Sequence, residues 1–261
     1  MEVLIVSKTR MAGGYFCVGG LVLQNNRFVR LMDSNGYNQP SNTPFQIGQI
    51  YDLAFHQRRE ITLPHREDVI VDSLRFLRVL PDISSVIINS GVPIYRGHID
   101  QIFNGLIKWK ETGTGFIPYG GQLPVQSVGF WIPDKDLYAT EFDSKVRYGY
   151  PNGSNYRNLS YVGNQVIEKR IPAGALIRIS LSRLYPKPGT VVNTPSGFYL
   201  QLSGWYENSG IIQQTSMHVP WNYTFYSADY FDKLLDLDPG QRFSKQVDSN
   251  LLEIEDVDLP F

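Results

Sequence analysis

Apolar and polar residues alternate over short stretches along most of this chain, the two-residue period of strands lying half-buried in a sheet. Val3-Leu4-Ile5-Val6 predicts a buried first strand ending at Ser7-Lys8-Thr9-Arg10 and a Gly13-Gly14 turn. Phe16 to Leu23 and Arg27 to Met32 read as a hairpin around Asn25-Asn26. A loop runs from Ser34 to Thr43, and Ile50 to Phe55 and Val69 to Val71 supply further strands. From Asp82 to Asn89 and from His98 to Trp109 the spacing turns helical, with Ile99, Ile102, Phe103, Leu106 and Ile107 on one stripe. Strands resume over Val128 to Ile132, Lys145 to Tyr150, Leu159 to Val162, Ala175 to Leu184 and Phe198 to Tyr206. Here Ile177, Ile179 and Leu181 alternate with Arg178, Ser180 and Ser182, which predicts one face in the core and one in water.

The pattern predicts a mainly β chain with a helical insert. A weak internal repeat relates the halves: Gln46 to Leu53 and Pro172 to Ile179 each place a Gly just before an alternating strand, after a loop rich in Asn and Gly. About five strands per half is the size of an OB-like barrel, so the expected architecture is two OB-like barrels in tandem. The expected boundaries are 1–81 for the first barrel, 82–125 for the helical insert and connector, 126–225 for the second barrel, and 226–261 for a helical and acidic tail.

Composition supports a folded chain: 42% of the 261 residues are hydrophobic and 19% charged, above the hydrophobicity at which chains stay disordered. The 16 Tyr, 14 Phe, 23 Gly and 16 Pro suit short strands and turns better than helices. A single Cys17 excludes an internal disulfide and a zinc site built on paired cysteines. The cytoplasm is the expected compartment, because Val3 to Val6 is too short for a signal-peptide core and no run approaches a membrane span. The net charge of −1 conceals an asymmetry, since the stretch from Asp248 to Phe261 holds five acids and no Lys or Arg.

Basic and aromatic residues interleave in both halves, as a groove for single strands requires: cations follow phosphates while rings stack on bases. The candidates are Lys8, Arg10, Arg30, Tyr37 and Arg58 in the first half, and Arg147, Tyr148, Tyr150, Tyr156 and Arg157 in the second. The competing reading makes the tyrosines sheet packing and the arginines its solvated edge. His65, Glu67 and Asp68 form the one local cluster resembling an active site, and would serve a metal-dependent phosphodiesterase or nuclease. Nothing else in the sequence completes such a site, so buried hydrogen bonds or ion pairs are the preferred role. No catalytic residue, metal or cofactor is expected. Cys17, in an apolar strand without a matched His, reads as a buried thiol, and the glycine pairs read as turns.

Val3 through Met11, Cys17-Val18-Gly19-Gly20, Arg30-Leu31, Asn38-Gln39-Pro40 and Pro64-His65-Arg66-Glu67-Asp68 together resemble the bacterial dual OB-containing domain family. That resemblance implies two OB-like barrels and a nucleic-acid-binding role in prokaryotic defence or DNA transactions, with no reaction attached. The C-terminus, with Asp256, Asp258, Leu259, Pro260 and Phe261, resembles the acidic tip of bacterial single-stranded DNA-binding proteins. The tip implies recruitment of a protein partner through its terminal ring and carboxylate. The expected function is therefore non-catalytic binding of single-stranded DNA or RNA, with no membrane association. The alternatives are the phosphodiesterase and a protein-only adaptor.

Overall fold

The computed structural model describes residues 1–142, 145–187 and 194–206. Five strands open the chain: β1 (Glu2–Arg10), β2 (Phe16–Val22), β3 (Arg27–Met32), β4 (Gln49–Gln57) and β5 (Asp68–Val79). They close into a barrel in the order β1-β2-β3-β5-β4. Every neighbouring pair is antiparallel except β3 with β5, which run parallel. Val3, Ile5, Val18, Val29, Leu31 and Val69 fill the interior, the inward set of the alternation read from sequence.

Helix α1 (Ile83–Asn89) follows, started by Asp82, whose carboxylate accepts from the Ser85 amide at 2.9 Å. The stretch expected as a helix from His98 holds only a 3-10 segment, Ile99–Gly105, broken where Phe103 and Asn104 take positive φ. Its apolar residues are still buried, because the stripe packs on the second barrel. Nor is 82–125 merely a connector: β6 (Ile94–Gly97), β7 (Lys108–Trp109) and β8 (Gly115–Pro118) all join the second sheet.

That sheet continues with β9 (Val128–Pro133), β10 (Leu137–Phe142), β11 (Lys145–Asn152), β12 (Asn155–Tyr161), β13 (Arg170–Ile171), β14 (Leu176–Tyr185) and β15 (Gly197–Tyr206). The order β10-β11-β12-β15-β14 repeats that of the first barrel, and its third and fourth members, β12 and β15, are again parallel. β9 and β10 supply the first strand in two pieces, β9 pairing with β14 and β10 with β11, so the sheet curls back toward itself.

The weak sequence repeat falls on equivalent positions in this scheme, the turns that lead into β4 and β14. Gly48 and Gly174 have φ of 86° and 82°, a region costly for residues with a side chain. Each donates its amide to the first strand of its own barrel, Gly48 to Ile5 and Gly174 to Pro133, both at 2.9 Å.

A third apolar cluster belongs to both barrels. Leu4, Leu21, Phe28 and Ile50 from the first meet Val128, Phe130, Leu176 and Tyr206 from the second, with Ile87 of α1 beside them. β14 is therefore covered on both faces. This corrects the expectation that its Arg178 side faces water: Arg178 is 2% exposed. Among the described residues no helix is long and apolar enough to cross a membrane.

Candidate nucleic-acid interface

OB barrels bind oligonucleotides on the outer face of their second and third strands. In the first barrel that face is closed. Its outward residues on β2 and β3 include Gly19, Leu21, Phe28 and Met32, all buried. Arg178 of β14 lies on it, its guanidinium 5.6 Å from the Phe28 ring centre and 5.8 Å from that of Phe130. Gly19 makes room for this contact, since a β-carbon there would stand 2.7 Å from Arg178 Nη2 and closer still to Ser7 Oγ.

Beside this contact a buried polar network crosses the seam. Ser127, just before β9, donates its hydroxyl to the Glu67 carboxylate and its amide to the same group at 3.4 Å. His65 Nδ1 lies 2.7 Å from Ser127 Oγ and, with that hydroxyl committed to Glu67, is the donor. Asp68 accepts from Arg30 at 2.5 Å and from Arg183 of β14 at 3.1 Å. Burial disfavours the imidazolium and brings the His65 pKa down to about 4. Burial alone would raise Glu67, but the adjoining His65, the charge of Arg30 and the hydrogen bond from Ser127 hold it at about 2. The Arg30 guanidinium likewise outweighs burial at Asp68 and keeps that carboxyl below its usual range.

These shifts set an acid sensitivity. Between pH 6.5 and about 4 the unfolded chain takes up a proton on His65 that the folded chain refuses. Stability therefore falls as pH drops through that window, by on the order of 3 kcal/mol from this residue. Glu67 continues the loss from its ordinary 4.5 toward 2, because only the unfolded carboxylate protonates there. Urea unfolding of wild type and His65→Gln at pH 7 and pH 5 should show the variant losing most of the slope. Equal slopes would mean that His65 titrates normally.

The corresponding face of the second barrel is polar and partly open. Tyr148 and Tyr150 point into the core, so the alternation turns Arg147, Gly149 and Pro151 outward, opposite Ser160, Asn158 and Tyr156. The Tyr156 ring lies across Gly149, where a β-carbon would meet it at 3.0 Å, and the residue stays 51% exposed. Lys110 adjoins, its Nζ 5.5 Å from the Tyr199 ring centre. Partial burial and the nearby charge of Arg147 lower its pKa. Lys108, exposed, shares this side through its pairing with Phe116, which stacks on Tyr199. An exposed ring among three cations can stack a base while its neighbours meet phosphates.

A family model, the dual OB-containing domain, matches residues 1–205. The chain belongs to the dual OB-containing domain family. No curated protein is similar enough to count as a relative. Solved structures with similar chain paths include a murine DNA-binding protein bound to double-stranded DNA, 14% identical, TM-score 0.28, covering 77% of this chain and 91% of that one. The Ifi202 HINa domain in complex with 20-bp double-stranded DNA is 8% identical with TM-score 0.29, covering 77% and 89%. The p204 HINb domain is 12% identical with TM-score 0.29, covering 77% and 95%.

The candidates read from sequence scatter over this dual OB architecture. Arg147 and Tyr156 share the open face. Tyr148 and Tyr150 are corrected to core residues, their hydroxyls bound to the Glu168 carbonyl at 2.8 Å and Asp134 at 2.6 Å. Arg157 turns away from the face and stacks on Trp109 at 4.9 Å. Lys8 is buried, donating to the Phe45 carbonyl, and Arg30 is held in its ion pair. Arg10 binds Asn164 of the second barrel at 2.7 Å. Tyr37, 68% exposed, stands apart in the loop between β3 and β4, and Arg58 lies at the rim of the seam, 3.9 Å from Asp68.

His65, Glu67 and Asp68 face one another's partners rather than a cleft, each at most 3% exposed. Cys17 is half-buried rather than enclosed. The reading missed Lys110, although Lys108 and Lys110 alternate around Trp109 as strand residues do, because the Ile99 to Ile107 stripe dominated that stretch. The tip residues Asp256, Asp258, Leu259, Pro260 and Phe261, and the expected tail helix, lie outside the described residues.

Proposed function

We propose that this dual OB protein binds single-stranded nucleic acid along the outer face of β11 and β12 of its second barrel. The observation carrying this reading is the exposed Tyr156 ring lying on Gly149 with Lys110 and Arg147 beside it. The position supports it as well, for these are the second and third strands of the barrel order, the face OB folds use for oligonucleotides. The equivalent face of the first barrel is covered, so one barrel binds and the other braces it. Single strands are favoured over duplexes because a ring lying on the strand engages a base only when that base is unstacked from its own helix.

Fluorescence anisotropy with labelled single- and double-stranded oligonucleotides at two salt concentrations tests this. Tyr156→Ala should weaken single-strand binding by about 1–3 kcal/mol, the usual cost of one lost base stack. Lys110→Gln should flatten the dependence of log K on log salt by roughly 0.7, the value for one phosphate contact to a single strand. Absence of binding at low salt would overturn the reading, and tighter binding of duplex would overturn its single-strand part.

A further inference from the structure

Four arginines converge on the seam between the barrels. Arg30 stands opposite Gly19 in the β2–β3 register, and Arg178 Nη2 covers the same glycine from the other side. Arg183 reaches Asp68 from β14, and Arg58 approaches the same carboxylate oxygen. Cys17, two residues before Gly19 on β2, lies near Arg30, Arg178 and Arg183. Against these four guanidinium groups the described residues set two carboxylates, Glu67 and Asp68, with His65 neutral.

Excess positive charge in a buried place is unfavourable without a counter-ion. Two guanidinium donors are moreover idle: among the described residues, Arg178 Nε, on a side chain 98% buried, and Arg30 Nη2 have no hydrogen-bond partner. Exposure falls from the rim inward, from 35% at Arg58 and 26% at Arg183 to 13% at Arg30. The cations thus run from partly exposed at the rim to buried within the seam.

We propose that this seam binds a terminal phosphate group, met by Arg58 and Arg183 at the rim and by Arg30 further in. A phosphate monoester carries close to two negative charges at neutral pH, matching the excess of two guanidinium groups over carboxylates. Guanidinium forks suit its oxygens geometrically. A chain end is favoured over an internal diester, which would have to bring both flanking nucleotides up to Arg30, only 13% exposed behind the rim. A free phosphate monoester and the phosphorylated end of a strand share this chemistry. The site is separate from the β11–β12 face and stands whether or not that face binds.

Cys17 is the one cysteine of the chain and sits half-exposed at the seam, so its alkylation rate reports occupancy. The full chain is treated with iodoacetamide at constant ionic strength in the presence of chloride, inorganic phosphate, a 5′-phosphorylated oligothymidylate, or the same oligonucleotide with a 5′-hydroxyl. Phosphate and the phosphorylated strand should slow the reaction roughly tenfold at about ten times their Kd, and chloride and the hydroxyl strand should not. Protection by phosphate alone would support the site with free phosphate as its ligand. Protection by both oligonucleotides equally, or by none of the probes, would overturn it. Arg183→Gln should abolish protection; because it also removes a partner of Asp68, Arg58→Gln, at the more exposed rim, provides a second variant. Protection unchanged in both would overturn the proposal. Tyr156→Ala should leave it intact, which separates failure of the seam from failure of the strand-binding face.

Discussion

Replacing Asp68 with asparagine is expected to lower the free energy of unfolding by about 3–5 kcal/mol, the range found when one partner of a buried ion pair is removed. The substitution keeps the volume and one acceptor but takes away the charge opposing Arg30 at 2.5 Å and Arg183 at 3.1 Å. Both guanidinium groups would remain in the seam beside Arg178, which pairs with no carboxylate among the described residues. Urea unfolding at neutral pH measures the loss. Asp72→Asn is the comparison, because Asp72 is about half exposed and pairs with the exposed His56; its effect should stay within about 0.5 kcal/mol. A loss below 1 kcal/mol at Asp68 would mean that water reaches and screens the pair.

The second large effect is expected at Phe130, where truncation to alanine should cost about 3–5 kcal/mol. The ring is fully buried, 5.5 Å from Phe28 of the first barrel and 6.4 Å from Tyr206 of the second, with Arg178 over its face. Its removal leaves a cavity that neither sheet can close without shifting the other. The shared cluster makes a further expectation: both barrels should unfold in one transition. Among the described residues the tryptophans Trp109, Trp131 and Trp205 all belong to the second sheet, so in a Trp221→Phe background fluorescence follows it while far-UV circular dichroism follows both. Coincident midpoints are expected in wild type. Separate midpoints would show that Phe130 and its neighbours do not join the barrels energetically.

Much of the architecture was legible because strand periodicity and turn chemistry are local. The alternation located most of the long strands, the Asn25-Asn26 hairpin, and the matching Gly48 and Gly174 turns, where the backbone demands positive φ. The helical reading of His98 to Trp109 failed for a related reason. An apolar stripe records which residues are buried, and a 3-10 segment followed by short strands buried the same ones.

The candidate site was legible only in part. Arg147 and Tyr156 were identified, but Tyr148 and Tyr150 were grouped with them, although in a strand successive residues must face opposite ways. Arg30, Glu67, Asp68, His65 and Arg178 were visible as polar residues, with buried bonds already the preferred role for the His65 cluster, but their partners Ser127 and Arg183 were not. Those partners lie more than fifty residues away, and no short-range pattern encodes such a pairing. Two OB-like barrels follow from the sequence, because each half carries its own alternation and turns, whereas their shared strand order appears only in the fold. Which outer face would be closed and which left open was decided only in the tertiary structure. That choice depends on Gly19, Phe28, Phe130 and Arg178 meeting across the seam, and burial of a surface belongs to both partners rather than to either sequence segment.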